Sequence, residues 1–198
     1  MSQVKLTADS GGGTVAIKAP ASTTGNAALD LTVPGTASAT LDTLKRAGNI
    51  LQVVSTYYTT QFSSTSTSFT DIGLSATITP SSSSNKILIL TNLNTGCGTT
   101  TSLYFRLYNG SSEITAATNS NADGTKGGAF VHTNAHPSGA QFDVDQVSHH
   151  FLYSPSTTSA TTIKIYGRTD ADTFYINRYA YNDEVGGSSS LTLMEVAA

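Results

Sequence analysis

The most regular hydrophobic pattern of the chain lies between Lys86 and Tyr108. It opens with a continuous apolar run, Ile87–Leu90, which is typical of a strand buried on both faces. After a stretch rich in Asn, Thr and Gly, three apolar residues alternate with other residues: Leu103, Phe105 and Leu107. This second pattern predicts a strand with one buried face. Because strands of this kind need other strands to cover them, the segment is predicted to form the centre of a β-sheet core.

Short β patterns follow one another from Ile50 to the end of the sequence, separated by turn signals such as Asn109-Gly110. Asp170-Ala171-Asp172 predicts a second hairpin turn. The first and last strands are predicted to pair, with Leu191, Leu193 and Val196 pointing inward in the last one. The predicted strands cover residues 50–56, 69–78 with a break at Gly73, 86–90, 103–108, 112–117, 129–132, 142–153, 161–166, 173–179 and 188–196.

This succession predicts an all-β fold over residues 49–198, an antiparallel β-sandwich for which a jelly roll is the favoured arrangement. An immunoglobulin-like sandwich is the alternative. Its Cys…Trp…Cys signature is missing, because the sequence has one Cys and no Trp.

Residues 1–48 show a different organisation, that of a β-strand arm. Three short period-2 patterns are separated by Gly and Pro, and a helical turn is predicted over residues 39–46. Three such strands bury too little apolar surface to form a core of their own. We therefore expect their apolar faces to pack on residues 49–198 or, preferably, on another chain. The predicted contact residues are Val4, Leu6, Val15, Ile17, Leu29, Leu31 and Val33.

Composition and charge narrow the possible partners. Charged residues make up 12% of the chain and the net charge is −3, with no cluster of Lys and Arg, which argues against nucleic acid binding. No apolar run is long enough to cross a membrane, so no membrane insertion is expected. The N-terminal residues lack an apolar segment, so no secretory signal peptide is predicted.

Candidate chemical groups are few. Cys97 lies in the Gly/Thr-rich stretch and is predicted to be an unreactive loop thiol. His149 and His150 follow Asp143 and Asp145 in one predicted strand, which leaves open a divalent metal site. Solvent-facing polar residues are the preferred interpretation, because neighbouring residues of a strand point to opposite faces.

No catalytic constellation is recognisable elsewhere. Acidic residues at Asp170, Asp172 and Asp183-Glu184 are better explained as turn formers than as calcium ligands. No Gly-x-Ser-x-Gly elbow, phosphate-binding loop or zinc-spaced Cys/His set occurs. The sequence therefore predicts no enzyme, no cofactor and no metal. Several tyrosines are predicted to point outward and are interpreted as subunit contacts or ordinary amphipathic surface, with glycan or protein binding as the alternative. They belong to the set Tyr57, Tyr58, Tyr104, Tyr108, Tyr175, Tyr179 and Tyr181.

Two stretches resemble known proteins. GGTVAIKAPASTTGNAALDLTVPG resembles the short β-repeats near the N-termini of phage tail-fibre and related virion proteins. GNILQVVSTYYTTQFSSTSTSFTDIGLSATITPSSSSNKILIL resembles the start of β-sandwich domains in structural proteins of marine phages. Together the two stretches lie within about the first 90 residues of the chain.

The resemblance implies a non-enzymatic component of the virion that forms a homotrimer. The arm would trimerise and attach to other virion proteins of the tail or capsid, and the sandwich would project outward. A short fibre or receptor-binding protein is the first expectation, with outer loops contacting a host surface glycan or protein: Thr95–Thr101, Asn119–Gly128 and Asp183–Ser189. A capsid decoration (cement) protein, attached through the same arm, is the alternative.

Overall fold

The computed structural model describes residues 3–7, 14–18, 46–97, 101–117, 130–133, 144–181, 184 and 186–198. The chain divides into two compact units, residues 1–42 and 43–198. In the first unit, β1 (Gln3–Thr7) and β2 (Thr14–Lys18) form an antiparallel ribbon. The predicted third arm strand, with Leu29, Leu31 and Val33, lies outside the described residues, as does the helical turn before residue 46.

Two antiparallel sheets form the second unit. Sheet 1 has the order β3-β13-β6-β10, and the short strands β4 and β12 continue it beside the end of β6. Sheet 2 has the order β5-β11-β7, with β8 and β9 on the far side of β7. The strands are β3 (Ile50–Tyr58), β4 (Phe62–Ser64), β5 (Thr70–Ile78), β6 (Lys86–Cys97), β7 (Ser102–Asn109), β8 (Ser112–Glu113), β9 (Phe130–Thr133), β10 (Asp145–Tyr153), β11 (Thr161–Thr169), β12 (Phe174–Ile176) and β13 (Ser189–Val196).

The connectivity is that of a jelly roll. Strands that are equally far, in chain order, from the first and the last strand of the sandwich pair with each other: β3 with β13, β5 with β11, β6 with β10, and β7 with β9. The short β8 also pairs with β7. This is the pattern of one long hairpin rolled into two facing sheets. The predicted all-β antiparallel sandwich and the predicted pairing of the first and last strands are confirmed.

The core lies between the sheets and is filled by alternate residues of the long strands, because side chains of a strand alternate between its faces. Phe174 is fully buried and contacts Phe105 edge-on, with ring centroids 6.3 Å apart. Other fully buried residues are Ile72, Leu74, Ile87, Ile89, Leu93, Leu103, Leu107, Ile163, Ile165, Ile176, Leu191 and Leu193. The inward alternation predicted for β7 is therefore confirmed.

The structure differs from the sequence prediction in β6. Ile87 and Ile89 are fully buried, but Leu88 and Leu90 are half-buried on the opposite face, so the strand has one core face only. The strand also continues to Cys97, where a loop was predicted, because β12 pairs with its end. Cys97 is thus a buried strand residue and not a loop thiol.

Two further strand predictions are wrong. Residues 161–166 and 173–179 were expected to form a hairpin, but β11 belongs to sheet 2 and β12 to sheet 1. In β13, Glu195 takes the inward position after Leu193, and Val196 is half-buried on the other face. A register shift between these last two residues accompanies this arrangement.

The second unit has two distinguishable ends. At the first, which we call the base, the chain reaches β3 beside the end of β13: the Gly48 N–H donates to the Ala197 carbonyl at 2.9 Å, and the Ala197 N–H to Asn49 at 2.9 Å. At the opposite end, which we call the tip, β6 and β11 end and β7 and β13 begin. Any contact residues at the tip are therefore a whole strand length from the base.

Candidate functional site

The tip carries an exposed aromatic side chain outside the sheets. Tyr181 is 62% exposed, and its ring stacks on that of Tyr179 with centroids 6.5 Å apart and planes at 5°. The guanidinium of Arg178 lies over the Tyr175 ring, 4.8 Å from its centroid. Stacked tyrosines beside a cation form a flat amphipathic surface of the kind that protein and glycan contacts use.

A partly buried ion pair stiffens the turn after β11. Arg168 is 7% exposed and donates from Nη2 to Asp170 Oδ1 at 2.8 Å. The hydroxyl of Tyr104 donates to the other carboxylate oxygen at 2.9 Å, and the guanidinium also lies 5.3 Å from its ring centroid. Asp170 is therefore a structural anchor that joins β7 to the tip, in keeping with its prediction as a turn residue.

Asn177 fixes the segment that follows β12. It is fully buried and has a left-handed backbone with φ 63°. Its side-chain amide donates to the carbonyls of Tyr58 at 2.7 Å and Thr60 at 3.0 Å, and its Oδ1 accepts from Ser189 Oγ at 2.7 Å. Asn tolerates this conformation better than other residues with a side chain. One residue thus ties the ends of β3, β12 and the start of β13 together.

The base is held by a buried carboxylate that sequence reasoning missed. Glu195 is 1% exposed and accepts hydrogen bonds from Asn85 Nδ2 at 2.6 Å, Gln52 Nε2 at 2.7 Å, and the Ser81 amide and hydroxyl at 2.6 and 2.8 Å. Burial alone would raise the pKa of Glu195, but these donors outweigh it and hold the pKa at about 2. The sequence contains one signal for it: Glu195 follows Leu191 and Leu193 at the same spacing of two residues, which places it on the inward face of the strand.

The outer face of sheet 1 carries an apolar row across its full width. The register places Met194 opposite both Val53 and Leu88, and Leu88 opposite Leu152. Val53 is 54% exposed and Leu152 45% exposed. Cross-strand neighbours of this kind lie on the same face of a sheet. The row therefore forms a continuous apolar stripe on a surface that faces away from the core.

The outer face of sheet 2 has the opposite character, because charged residues pair across it. Lys164 Nζ lies 2.8 Å from Asp71 Oδ2, and Arg106 Nη1 lies 2.8 Å from Glu113 Oε2. The ring of Tyr108 stacks on Tyr166 with centroids 4.0 Å apart. Within each ion pair the two charges compensate each other, so this face resembles an ordinary solvated surface.

The predicted arm contacts fall partly on the described ribbon. The register sets Val4 opposite Ile17 and Leu6 opposite Val15. The structure thus brings four of the seven predicted residues into two cross-strand pairs. The remaining three, Leu29, Leu31 and Val33, lie outside the described residues.

The histidine candidates do not converge on one site. In β10, His149 is half-buried on the inner side with Val147, and His150 is exposed on the other. Burial and the neighbouring His150 lower the pKa of His149. Asp143 lies outside the described residues. Among the residues that the structure describes, no group of three His, Cys, Asp or Glu side chains is placed to hold a metal ion, and no helix is long and apolar enough to cross a membrane.

Comparisons with known proteins find similarity only among solved structures. No protein-family model and no curated protein matches the chain. The chain is similar to the VP2 subviral particle of infectious bursal disease virus, with 14% identity, a TM-score of 0.42, and coverage of 93% of this chain and 42% of that one. It is also similar to T=1 particles derived from the same virus, with 13% identity, a TM-score of 0.38, and coverage of 94% and 43%. The chain thus spans less than half the length of these proteins. At such TM-scores the similarity carries no argument about function.

Proposed function

We propose that this chain is a structural protein of a phage virion, a homotrimeric short fibre or receptor-binding protein on the particle surface. The observation that carries the proposal is the separation of the two ends of the jelly roll. The chain reaches the sandwich at the base, beside the end of β13, while Tyr181, which is 62% exposed and stacks on Tyr179, lies at the tip. A sandwich whose chain entry and contact surface lie at opposite ends has the layout that such a protein needs.

The arm supports the same proposal. An isolated two-stranded ribbon is at best marginally stable in water, so β1 and β2 need a partner surface. Interleaved arms of three copies would supply that surface and would attach the trimer to other proteins of the tail or capsid. The resemblance of the arm sequence to the N-terminal repeats of phage fibres points the same way.

A structural role also agrees with what the buried polar groups do. Arg168, Asn177 and Glu195 each bind neighbouring strands or turns of the same chain. Their hydrogen bonds explain their burial without any reaction. We therefore propose a protein without enzymatic activity, located in the virion, whose host-side partner is a surface glycan or protein contacted at the tip.

Capsid decoration is the second candidate, and the apolar stripe of sheet 1 favours it. A cement protein clamps neighbouring subunits, and an outward apolar row such as Val53–Met194–Leu88–Leu152 suits lateral packing better than solvent exposure. Both candidates share the arm as attachment segment.

Location in the particle tests the function. We expect antibody labelling and cryo-electron microscopy of the particle to place the chain in a few trimers on the tail. Hundreds of copies distributed over the capsid would replace the fibre proposal with decoration. Absence of the chain from purified particles would contradict both.

Arm substitutions test the trimer. In the full chain, Leu6→Asp combined with Val15→Asp puts two carboxylates opposite each other in the ribbon, and we expect the trimers to be lost in sedimentation velocity runs. Thr7→Asp combined with Thr14→Asp is the matched control. These two residues are also paired with each other, but they belong to the alternate positions of the two strands and not to the apolar ones. Equal assembly of both double variants would show that the apolar arm positions do not hold the trimer.

A further inference from the structure

Exposed apolar side chains are concentrated on one surface of the second unit. Among the described residues, five large apolar side chains are exposed, and four of them belong to the outer face of sheet 1: Ile50 (47%), Val53 (54%), Tyr57 (75%) and Leu152 (45%). Ile50 lies opposite Val196, and this pair extends the stripe toward the base. Scattered exposed apolar residues are ordinary, but a contiguous patch marks an interaction surface.

The same face is almost free of charge. The positions next to the stripe are Ser55, Thr192, Leu90 and His150, and the next row is Tyr57, Ser190, Asn92 and Ser148. The row toward the base is Ile50, Val196 and Lys86. Lys86 is the only Lys or Arg in these rows, and no residue in them carries a side-chain carboxylate. By contrast, sheet 2 shows ion pairs on its outer face.

Neutrality of this kind favours a second copy of the chain as the partner. At the symmetry axis of such a contact the same residues of different copies approach one another, so charges of a single sign near the axis would repel one another. A face that binds a different protein can carry charges, because that partner can supply charges of the opposite sign. A face without carboxylates, and with a single lysine at its margin, is therefore suited to contact copies of itself.

We propose that the outer face of sheet 1 is a contact surface between copies of this chain, with the stripe Val53–Met194–Leu88–Leu152 at its centre. The proposal rests on the homo-oligomer of the proposed function but adds a contact that the arm does not make. Four strands at about 4.8 Å spacing and about 30 Å of strand length give a face of roughly 600 Å² in projection. That is close to the ~800 Å² per partner of a standard interface.

Cysteine cross-linking in the full chain tests this contact directly. The native Cys97 is 1% exposed, so the unsubstituted chain supplies the background. We expect Leu152→Cys to give a covalent dimer with a short bismaleimide at least tenfold faster than the control Thr77→Cys. The control residue is exposed on the outer face of sheet 2 and also lies in a strand.

A second variant measures the contact without a reagent. Leu152→Lys should weaken association of the full chain at least tenfold in sedimentation equilibrium, because it brings like charges together, while Thr77→Lys should not. Oligomers in which Leu152→Cys cross-links no faster than Thr77→Cys would overturn the proposed contact while leaving the arm-based trimer standing. A chain that stays monomeric at all concentrations would overturn both. If the chain cross-links as expected but is absent from purified particles, only the virion assignment would be contradicted.

Discussion

Replacing Glu195 with Gln is expected to lower the free energy of unfolding by about 3 kcal/mol at pH 7. The carboxylate of this residue accepts from Asn85, Gln52 and Ser81. The amide of Gln has only one oxygen, and its NH₂ group would face donors that include the buried Asn85. Chemical unfolding at one fixed protein concentration measures the difference, because oligomers make stability depend on concentration.

The pH dependence gives the same residue a second, independent readout. The pKa of Glu195 falls from its ordinary value of 4.5 to about 2 in the folded chain, so the unfolded state binds the proton more readily. Its contribution of about 3 kcal/mol is therefore complete above pH ~4.5 and is lost as the pH falls toward 2. Glu195→Gln should remove this part of the slope of stability against pH. Asp71→Asn is the control, because its half-exposed ion pair with Lys164 is expected to contribute less than ~1 kcal/mol. A slope between pH 5 and 2 that Glu195→Gln leaves unchanged would contradict the assignment.

Asn177→Ala should cost about 3 kcal/mol of stability, since three side-chain hydrogen bonds disappear and Ala is less favourable than Asn at a positive φ. Asn177→Gly loses the same hydrogen bonds but relieves the backbone, so we expect it to be about 1 kcal/mol more stable than the Ala variant. Urea unfolding of both variants measures the two contributions separately.

Ser156 provides the matched control for Asn177. It has a similar left-handed backbone, with φ 54°, but it is exposed in the connection between β10 and β11. Ser156→Ala should therefore change stability by less than ~1 kcal/mol. If Asn177→Ala cost no more than Ser156→Ala, the buried hydrogen bonds of Asn177 would not stabilise the tip.

Local pattern was enough to predict the fold class but not the full set of strand positions. Alternating apolar residues identified β7 and the inward side of β13, and the turn at Asn109-Gly110 is present, with Gly110 at φ 60°. The length of β6 was missed because Asn92–Cys97 has a loop-like composition and becomes a strand only through pairing with β10, β12 and β13. Tertiary contacts there override local propensity.

The candidate surfaces were still less predictable. The apolar stripe consists of residues from four strands that are distant in sequence, and only the register brings Val53, Met194, Leu88 and Leu152 into one row. No single segment shows it, since each contributes one residue. The tyrosines illustrate the same point: Tyr181 is exposed as expected, whereas Tyr104 is buried with its hydroxyl bonded to Asp170.

The position of β13 has a consequence for how the subunit is made. This strand is the last of the jelly roll in chain order, yet it lies inside sheet 1 between β3 and β6. During synthesis, sheet 1 cannot close until residues 189–196 have left the ribosome, and pairing over such sequence separations makes folding slow. Until then both neighbouring strands have unpaired edges that can associate with other chains. A chain that stops before β13 would therefore lack a complete sheet 1 surface to offer to its copies. Incomplete subunits would be excluded from assembly by the fold itself.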